Sequence, residues 1–225
     1  MAALIPAAGA GRRYGFFKPF QNLAGEPILL HALRPFLQDS RVKRVVIALP
    51  AEYVSDPPDW MLALDNRIAL VAGGEERGDS VRNALRALPD DIDVVLVHDA
   101  ARPLVSAELV DRAIRAAAAG ESVVAALPAT DTLQQVDAGR RIIATPDRAV
   151  LWQAQTPQAF PRAVIMAAYE RAAADGVKAT DDAAVVLRNG GVVRVIEGER
   201  TNIKITVPSD LAVAEALLRA GMRDA

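Results

Sequence analysis

The stretch "IPAAGAGRRYGFFKP", residues 5–19, ends an apolar run on small residues and then sets Arg12, Arg13 and Lys18 close together. Two phosphate-binding patterns are testable on its letters. The dinucleotide pattern G-x-G-x-x-G begins on Gly9 and Gly11, but its third glycine falls on Tyr14 and Gly15 comes one position late. The P-loop pattern requires Lys and then Ser or Thr directly after its second glycine, whereas Phe16 and Phe17 follow Gly15. A hydride-transfer reading loses its main support and a Walker-type loop is excluded. What remains is a turn of nearly bare backbone at Ala7, Ala8, Gly9, Ala10 and Gly11, whose N–H groups approach an anion closely, with cations behind it.

Three other short stretches carry residue types suited to the same chemistry. In "GGEERGDSV", residues 73–81, paired glycines bring backbone close to a ligand, and Asp79 or Ser80 is the expected cap of the next helix. In "HDAARP", residues 98–103, an apolar run terminates on Asp99, and "TNIKIT", residues 201–206, delivers Lys204. A carboxylate at a strand end facing a cation-rich loop suits Mg²⁺, or another divalent cation, bridging a nucleoside triphosphate, so Asp99 is the predicted metal ligand. No second Asp or Glu stands in "VLVHDAARP", so the substrate has to complete the ion's shell. Arg13 and Lys18 suit the charge that develops at an α-phosphate and on departing pyrophosphate, where positioning and electrostatics do most of the work. His98 reads as a packing or hydrogen-bonding residue, and Trp60 and Trp152 as core or interface.

These stretches need elements to converge them. Apolar, β-branched runs at residues 2–6, 44–50, 67–73, 93–100, 122–128 and 191–198 alternate with segments of helical period at 26–39, 79–89, 106–120, 161–176 and 208–221. That alternation predicts an α/β fold with a mostly parallel central sheet, and strands apolar on successive residues predict helices on both faces. In such sheets ligands sit beyond the carboxyl ends of the strands, where all four stretches fall. Residues 129–160 break the pattern: two β-like runs flank "VDAGRR" and read as a hairpin arm. An arm carrying Val136, Ile142 and Ile143 without a core of its own is stabilised by lying on something else, most economically a second copy of the chain, so a homodimer is expected.

Composition narrows the classes. A chain of 225 residues with 52% hydrophobic residues is expected to form one domain, 1–225, and its formal net charge of −2 implies no general affinity for nucleic acid or an anionic membrane. Without cysteine, thiolate catalysis, disulfides and cysteine metal sites are excluded. The absence of a basic, apolar leader and of a long uncharged apolar run points to a cytoplasmic protein with no membrane partner.

The segments "PAAGAGRR", "RVKRVVIA", "GGEERGDSV", "VLVHDAARP", "DRAVLWQAQTPQAF", "ATDDAAVV" and "NIKITVPSDLAVAE" occur in an order and spacing that resemble the 2-C-methyl-D-erythritol 4-phosphate cytidylyltransferases of the non-mevalonate isoprenoid pathway, over nearly the whole chain. The resemblance implies a Rossmann-like nucleotidyltransferase fold with a protruding β-arm for dimerisation at about 129–150. It implies that the phosphate of methylerythritol phosphate attacks the α-phosphorus of CTP. It assigns Arg13 and Lys18 to transition-state stabilisation, and Arg148 and Lys204 to positioning the acceptor phosphate. Ala7, Ala8, Gly9, Gly11, Gly74, Glu75, Ser80, Asp99 and Ala100 would surround the nucleotide. Arg102, Thr132, Thr156 and Thr180, with Arg148 and Lys204, would contact the acceptor, and arm exchange would bring Arg148 from the other subunit. Transfer to ribitol 5-phosphate or another sugar phosphate, and a nucleotide-binding regulator without turnover, stand as alternatives. Three departures from the family pattern stand out: Lys18 follows Arg13 by only five positions, Glu75 stands where Asp is frequent, and Gln134 where Lys is common.

Overall fold

The computed structural model describes residues 1–9, 17–178 and 181–221. Gly11, Arg12, Arg13 and Thr180 lie outside the described residues. In chain order the elements begin with β1 (Ala2–Pro6), a two-stranded ribbon of β2 (Asn22–Leu23) and β3 (Glu26–Pro27), α1 (Ile28–Gln38), β4 (Arg44–Leu49), α2 (Ala51–Ser55), α3 (Asp59–Leu62) and β5 (Ile68–Ala72). They continue with α4 (Arg77–Arg86), β6 (Val94–Val97), α5 (Ala107–Ala118), β7 (Val123–Pro128), the arm strands β8 (Gln135–Val136) and β9 (Ile142–Ala144), and β10 (Trp152–Pro161). The last are α6 (Arg162–Ala174), α7 (Asp182–Arg188), β11 (Arg194–Glu197) and α8 (Pro208–Arg219).

Seven strands form one sheet in the order β11-β7-β10-β6-β1-β4-β5. All neighbours are parallel except β10, which runs antiparallel to both β6 and β7. The chain winds outward from β1 through β4 to β5, then returns to β6 on the other side of β1. The strand order therefore reverses between β1 and β6, opening a crevice beyond their carboxyl ends.

Alternation along the strands explains the two helical layers. Ala3 and Ile5 of β1, Val45 and Ile47 of β4, and Leu96 of β6 pack in one cluster with Leu29, Leu33 and Phe36 of α1 and Leu109 and Ile114 of α5. Ala2, Leu4, Val46 and Val97 point the other way, against Val81 and Leu85 of α4, Ile165 and Tyr169 of α6, and Val186 of α7. Burying a Leu or Phe side chain of this kind contributes roughly 1.5–3 kcal/mol, which holds the helices where their ends bracket the crevice. Local signals set those ends. The Ser106 hydroxyl accepts from the Leu109 N–H at the start of α5, and Gly120 just after it adopts φ of 90°, a value favoured only without a Cβ.

The structure departs from the sequence pattern in the last part of the predicted arm. Residues 135–136 and 142–144 do pair as an antiparallel ribbon, but Trp152–Pro161 is a strand in the middle of the sheet. Its buried polar residues hid it. Gln155, Thr156 and Gln158 are all buried, and the two glutamines reach out of the sheet to bolt neighbouring loops to it. Gln155 Nε2 donates to the Glu199 carbonyl while its Oε1 accepts from the Glu199 N–H. Gln158 Nε2 donates to Asp181 Oδ2, and its Oε1 accepts from the Ala183 N–H.

Candidate active site

The crevice between β1 and β6 is walled by Ala7 and Gly9 from the first loop, Lys18, Arg77 and Ser80 from the start of α4, Asp99 and Ala100 after β6, and Lys204. Most of the predicted nucleotide-side residues thus converge. Lys18 belongs to the same cavity wall as Asp99 and Lys204 despite its short spacing from Arg13, and its Nζ donates to the Ile205 carbonyl at 2.9 Å. An aromatic footing places it. Phe17 stacks on Tyr53 with ring centroids 4.7 Å apart, and Phe20 meets Trp60 edge-on at 5.5 Å, pinning the turn on both sides of Lys18 and Pro19.

The loop after β5 approaches β1 closely. A Cβ on Gly73 would come within 2.1 Å of the Ala8 Cβ, and one on Gly74 within 2.2 Å of the Asp79 Cβ. The paired glycines therefore serve contacts within the chain. Ser80 is buried; its Oγ accepts from the Gly74 N–H at 3.1 Å and donates to the Glu76 carbonyl at 3.3 Å, tying this loop to α4. Helix α4 starts at Arg77, two residues before the predicted boundary, because Asp79 Oδ2 accepts from the Glu76 N–H. Glu75 is exposed and lines a different cavity, with Glu76, Asp79, Arg82 and Lys178.

Asp99 is the electrostatic centre of the crevice. Its Oδ1 accepts from Arg77 Nε at 2.9 Å and its Oδ2 from Lys204 Nζ at 2.7 Å. Burial pushes its carboxyl upward, but the charges of Arg77 and Lys204 outweigh burial and hold it well below the usual carboxylate range. Behind it, Arg77 Nη2 donates to Asp182 Oδ2 at 2.7 Å, and the Tyr169 hydroxyl donates to Asp182 Oδ1 at 2.5 Å. Arg77 stays charged: burial pulls its guanidinium down, and the two carboxylates more than restore it.

His98 and Thr156 fix the backbone of Asp99 from below. The Thr156 Oγ1 accepts from the Asp99 N–H at 3.1 Å and lies 3.0 Å from His98 Nδ1, while His98 Nε2 lies 3.0 Å from the Arg102 carbonyl. A carbonyl only accepts, so Nε2 carries the proton. Burial lowers the imidazole pKa to about 4, so the ring is neutral and Nδ1 accepts from the Thr156 hydroxyl. Thr156, expected to touch the acceptor, thus has its hydroxyl committed to the strand end. His98 is the hydrogen-bonding residue that the sequence suggested.

On the far side of Lys204 a second cavity is lined by Arg102, Gln155, Arg200, Asn202 and Lys204 itself. Arg102 is buried, and its Nη1 and Nη2 donate to the carbonyls of Asn202 and Ala154 at 2.7 and 3.3 Å. Its Nε is buried without a hydrogen-bond partner among the described residues. Arg148 and Thr132 are not brought here. Both are exposed at the arm, neither is among the residues lining the two cavities beside Lys204, and Arg148 Nη1 donates to the Thr130 carbonyl at 2.9 Å.

Among the described residues no group of three His, Asp or Glu side chains is placed to hold a metal ion. Asp99 is a single carboxylate with each oxygen on a cation. This donor set does not make a resident metal site; it suits an ion that arrives on a triphosphate and takes most of its ligands from phosphate oxygens. Arg77, Tyr169, Asp182, Gln155 and Gln158 escaped the sequence reading as functional groups. Their signal was positional: Arg77 lies inside "GGEERGDSV", and Asp182 inside "ATDDAAVV".

A doubly wound sheet whose switch-point crevice is walled by small residues and lysines around one carboxylate defines a nucleotide-handling α/β protein. Comparison with known proteins makes this specific. The family model for IspD, 2-C-methyl-D-erythritol 4-phosphate cytidylyltransferase, matches residues 1–220, and the chain belongs to this family. It is 45% identical over 224 residues to the 2-C-methyl-D-erythritol 4-phosphate cytidylyltransferase of Rhodococcus jostii, covering 98% of this chain and 96% of that one. It is 41% identical over 223 residues to a bifunctional enzyme IspD/IspF of Desulfotalea psychrophila, covering 97% of this chain and 56% of that longer one. Its structure superposes on the crystal structure of the Thermus thermophilus 2-C-methyl-D-erythritol 4-phosphate cytidylyltransferase with a TM-score of 0.83 at 36% identity, covering 97% and 98% of the two chains.

Proposed function

We infer that this chain transfers CMP from CTP to 2-C-methyl-D-erythritol 4-phosphate, releasing pyrophosphate, as a step of isoprenoid precursor synthesis. The observation that supports this most is the convergence of Lys18, Asp99 and Lys204 on one cavity in a chain that the family model matches from 1 to 220. An oxygen of the acceptor phosphate forms the new bond to the α-phosphorus. The bond from that phosphorus to the bridging oxygen breaks, and pyrophosphate leaves with the electron pair. The attacking group is already anionic near neutral pH, so no side chain has to remove a proton, and the protein's task is to align two anions and offset their charge.

In this reading the backbone at Ala7, Ala8, Gly9 and Gly11 receives the triphosphate, with Gly74, Ser80 and Ala100 around the nucleoside, while Glu75 faces the neighbouring cavity. Arg13 and Lys18 meet the charge made at the α-phosphorus and on pyrophosphate. Asp99 is the residue that would hold a Mg²⁺ accompanying CTP, which would supply positive charge to the triphosphate. Lys204, Arg102 and Thr180 take the acceptor, together with Arg148 and Thr132 from the arm of a second copy in a homodimer. Leu133, Val136, Ile142 and Ile143 on the arm are 40, 49, 63 and 59% exposed, apolar surface that a partner would cover. Among the described residues no helix is long and apolar enough to cross a membrane. A cytoplasmic setting is in keeping with a chain without cysteine.

The test offers CTP, Mg²⁺ and one acceptor at a time while pyrophosphate release is measured. Release is expected with methylerythritol phosphate. Release with ribitol 5-phosphate alone would overturn this reading in favour of the other sugar phosphate.

A further inference from the structure

The charges at the wall of the nucleotide cavity alternate in a chain of contacts: Asp182, Arg77, Asp99, Lys204. Asp182 has no exposure and is held by Arg77 Nη2 at 2.7 Å and the Tyr169 hydroxyl at 2.5 Å. Arg77 spends the planar fork of its guanidinium on two carboxylates at once, Nη2 on Asp182 and Nε on Asp99, a geometry that a lysine ammonium does not reproduce. Lys204 differs from Arg77 in kind. Its side chain is 43% exposed against 22% for Arg77 and 11% for Asp99, and it lines the cavities on both sides of itself.

Of the two cations on Asp99, Lys204 is therefore the one free to move. Without Arg77, its departure toward an acceptor phosphate would leave this buried carboxylate with no protein cation beside it, an unfavourable state. We propose that Arg77, oriented by Asp182, is a positioning residue for the transfer: it keeps one oxygen of Asp99 neutralised so that Lys204 can leave the other and meet the acceptor phosphate. This rests on the cytidylyl-transfer reading above. Its distinct content is that a residue on the far side of Asp99 sets how readily Lys204 is released. Weakening Arg77 should bind Lys204 more tightly to Asp99 and raise the acceptor KM more than it lowers kcat.

The experiment measures pyrophosphate release at saturating CTP and Mg²⁺ while methylerythritol phosphate is varied. The paired substitution Arg77→Gln with Asp182→Asn removes both charges of the buried pair together, so neither is left alone. It is expected to raise acceptor KM about tenfold with a much smaller change in kcat. Arg77→Lys, which keeps the charge and loses the fork, should give an intermediate KM, and serves as the reading if the paired variant does not fold. A wild-type protein that releases no pyrophosphate with this acceptor overturns the reaction itself. An active wild type whose variants leave acceptor KM unchanged, or lower kcat as much as they raise KM, overturns the role given to Arg77.

Discussion

At the scale of single residues, the crevice separates groups that meet substrate from groups that hold those groups still. His98 belongs to the second kind. It is fully buried, neutral, and spends both ring nitrogens on Thr156 and the Arg102 carbonyl. Its pKa of about 4 in the folded chain lies below the ordinary value of 6.5, so between these values the unfolded chain binds the additional proton. Stability from this group is fully present above about pH 6.5 and is lost as the pH falls toward 4, by about 3 kcal/mol in all. Thermal melts without nucleotide or divalent ion should show a steep fall in Tm between pH 6.5 and 4.5 for the wild type and a shallower one for His98→Gln. Parallel slopes would refute the assignment.

At the scale of elements, β10 decides the geometry of the acceptor side. Its glutamines replace apolar contacts with hydrogen bonds that set two loops: Gln155 fixes residues 199–202 ahead of Lys204, and Gln158 fixes the entrance of α7 and hence Asp182. Gln155→Leu keeps similar volume and leaves the Glu199 backbone groups without that partner. It is expected to cost about 1–3 kcal/mol in urea unfolding. Gln153→Leu, at an exposed position of the same strand, should stay within about 0.5 kcal/mol of wild type. Equal losses at the two positions would mean that the glutamine bonds carry no special weight. This element was also the one that pattern reading misplaced. Unbroken apolar runs mark β1, β4 and β6, whose two faces both pack on helices, but a strand with polar residues buried at 155, 156 and 158 shows no such run.

At the scale of the whole molecule, the arm is what a single copy leaves without cover. A two-stranded ribbon of Gln135–Val136 and Ile142–Ala144 has little stability of its own in water, which supports the proposed pairing of two chains across it. Within one chain Arg148 stays on the arm while Lys204 lines the crevice. If the partner's arm completes each site, Lys204→Met and Arg148→Ala homodimers should each be nearly inactive. Their mixture after subunit exchange should recover about a quarter of the wild-type activity, since half the dimers are mixed and each holds one intact site. A mixture that stays inactive after exchange has been verified would place both residues of a working site on the same chain.

The local pattern of the sequence determined the alternation of strands and helices, and it placed Lys18, Asp99 and Lys204 in loops at strand ends, because both depend on residues close together in the chain. Only the tertiary structure decided what these groups do to one another. The partners of Asp99 are Arg77 and Lys204, 22 and 105 positions away, and Arg77 and Asp182 are separated by a further 105. No periodicity encodes pairs that distant. They meet because an antiparallel β10, paired with β6 and β7, holds through its glutamines the start of α7 and the loop ahead of Lys204, beside the strand end where Arg77 from the start of α4 reaches Asp99.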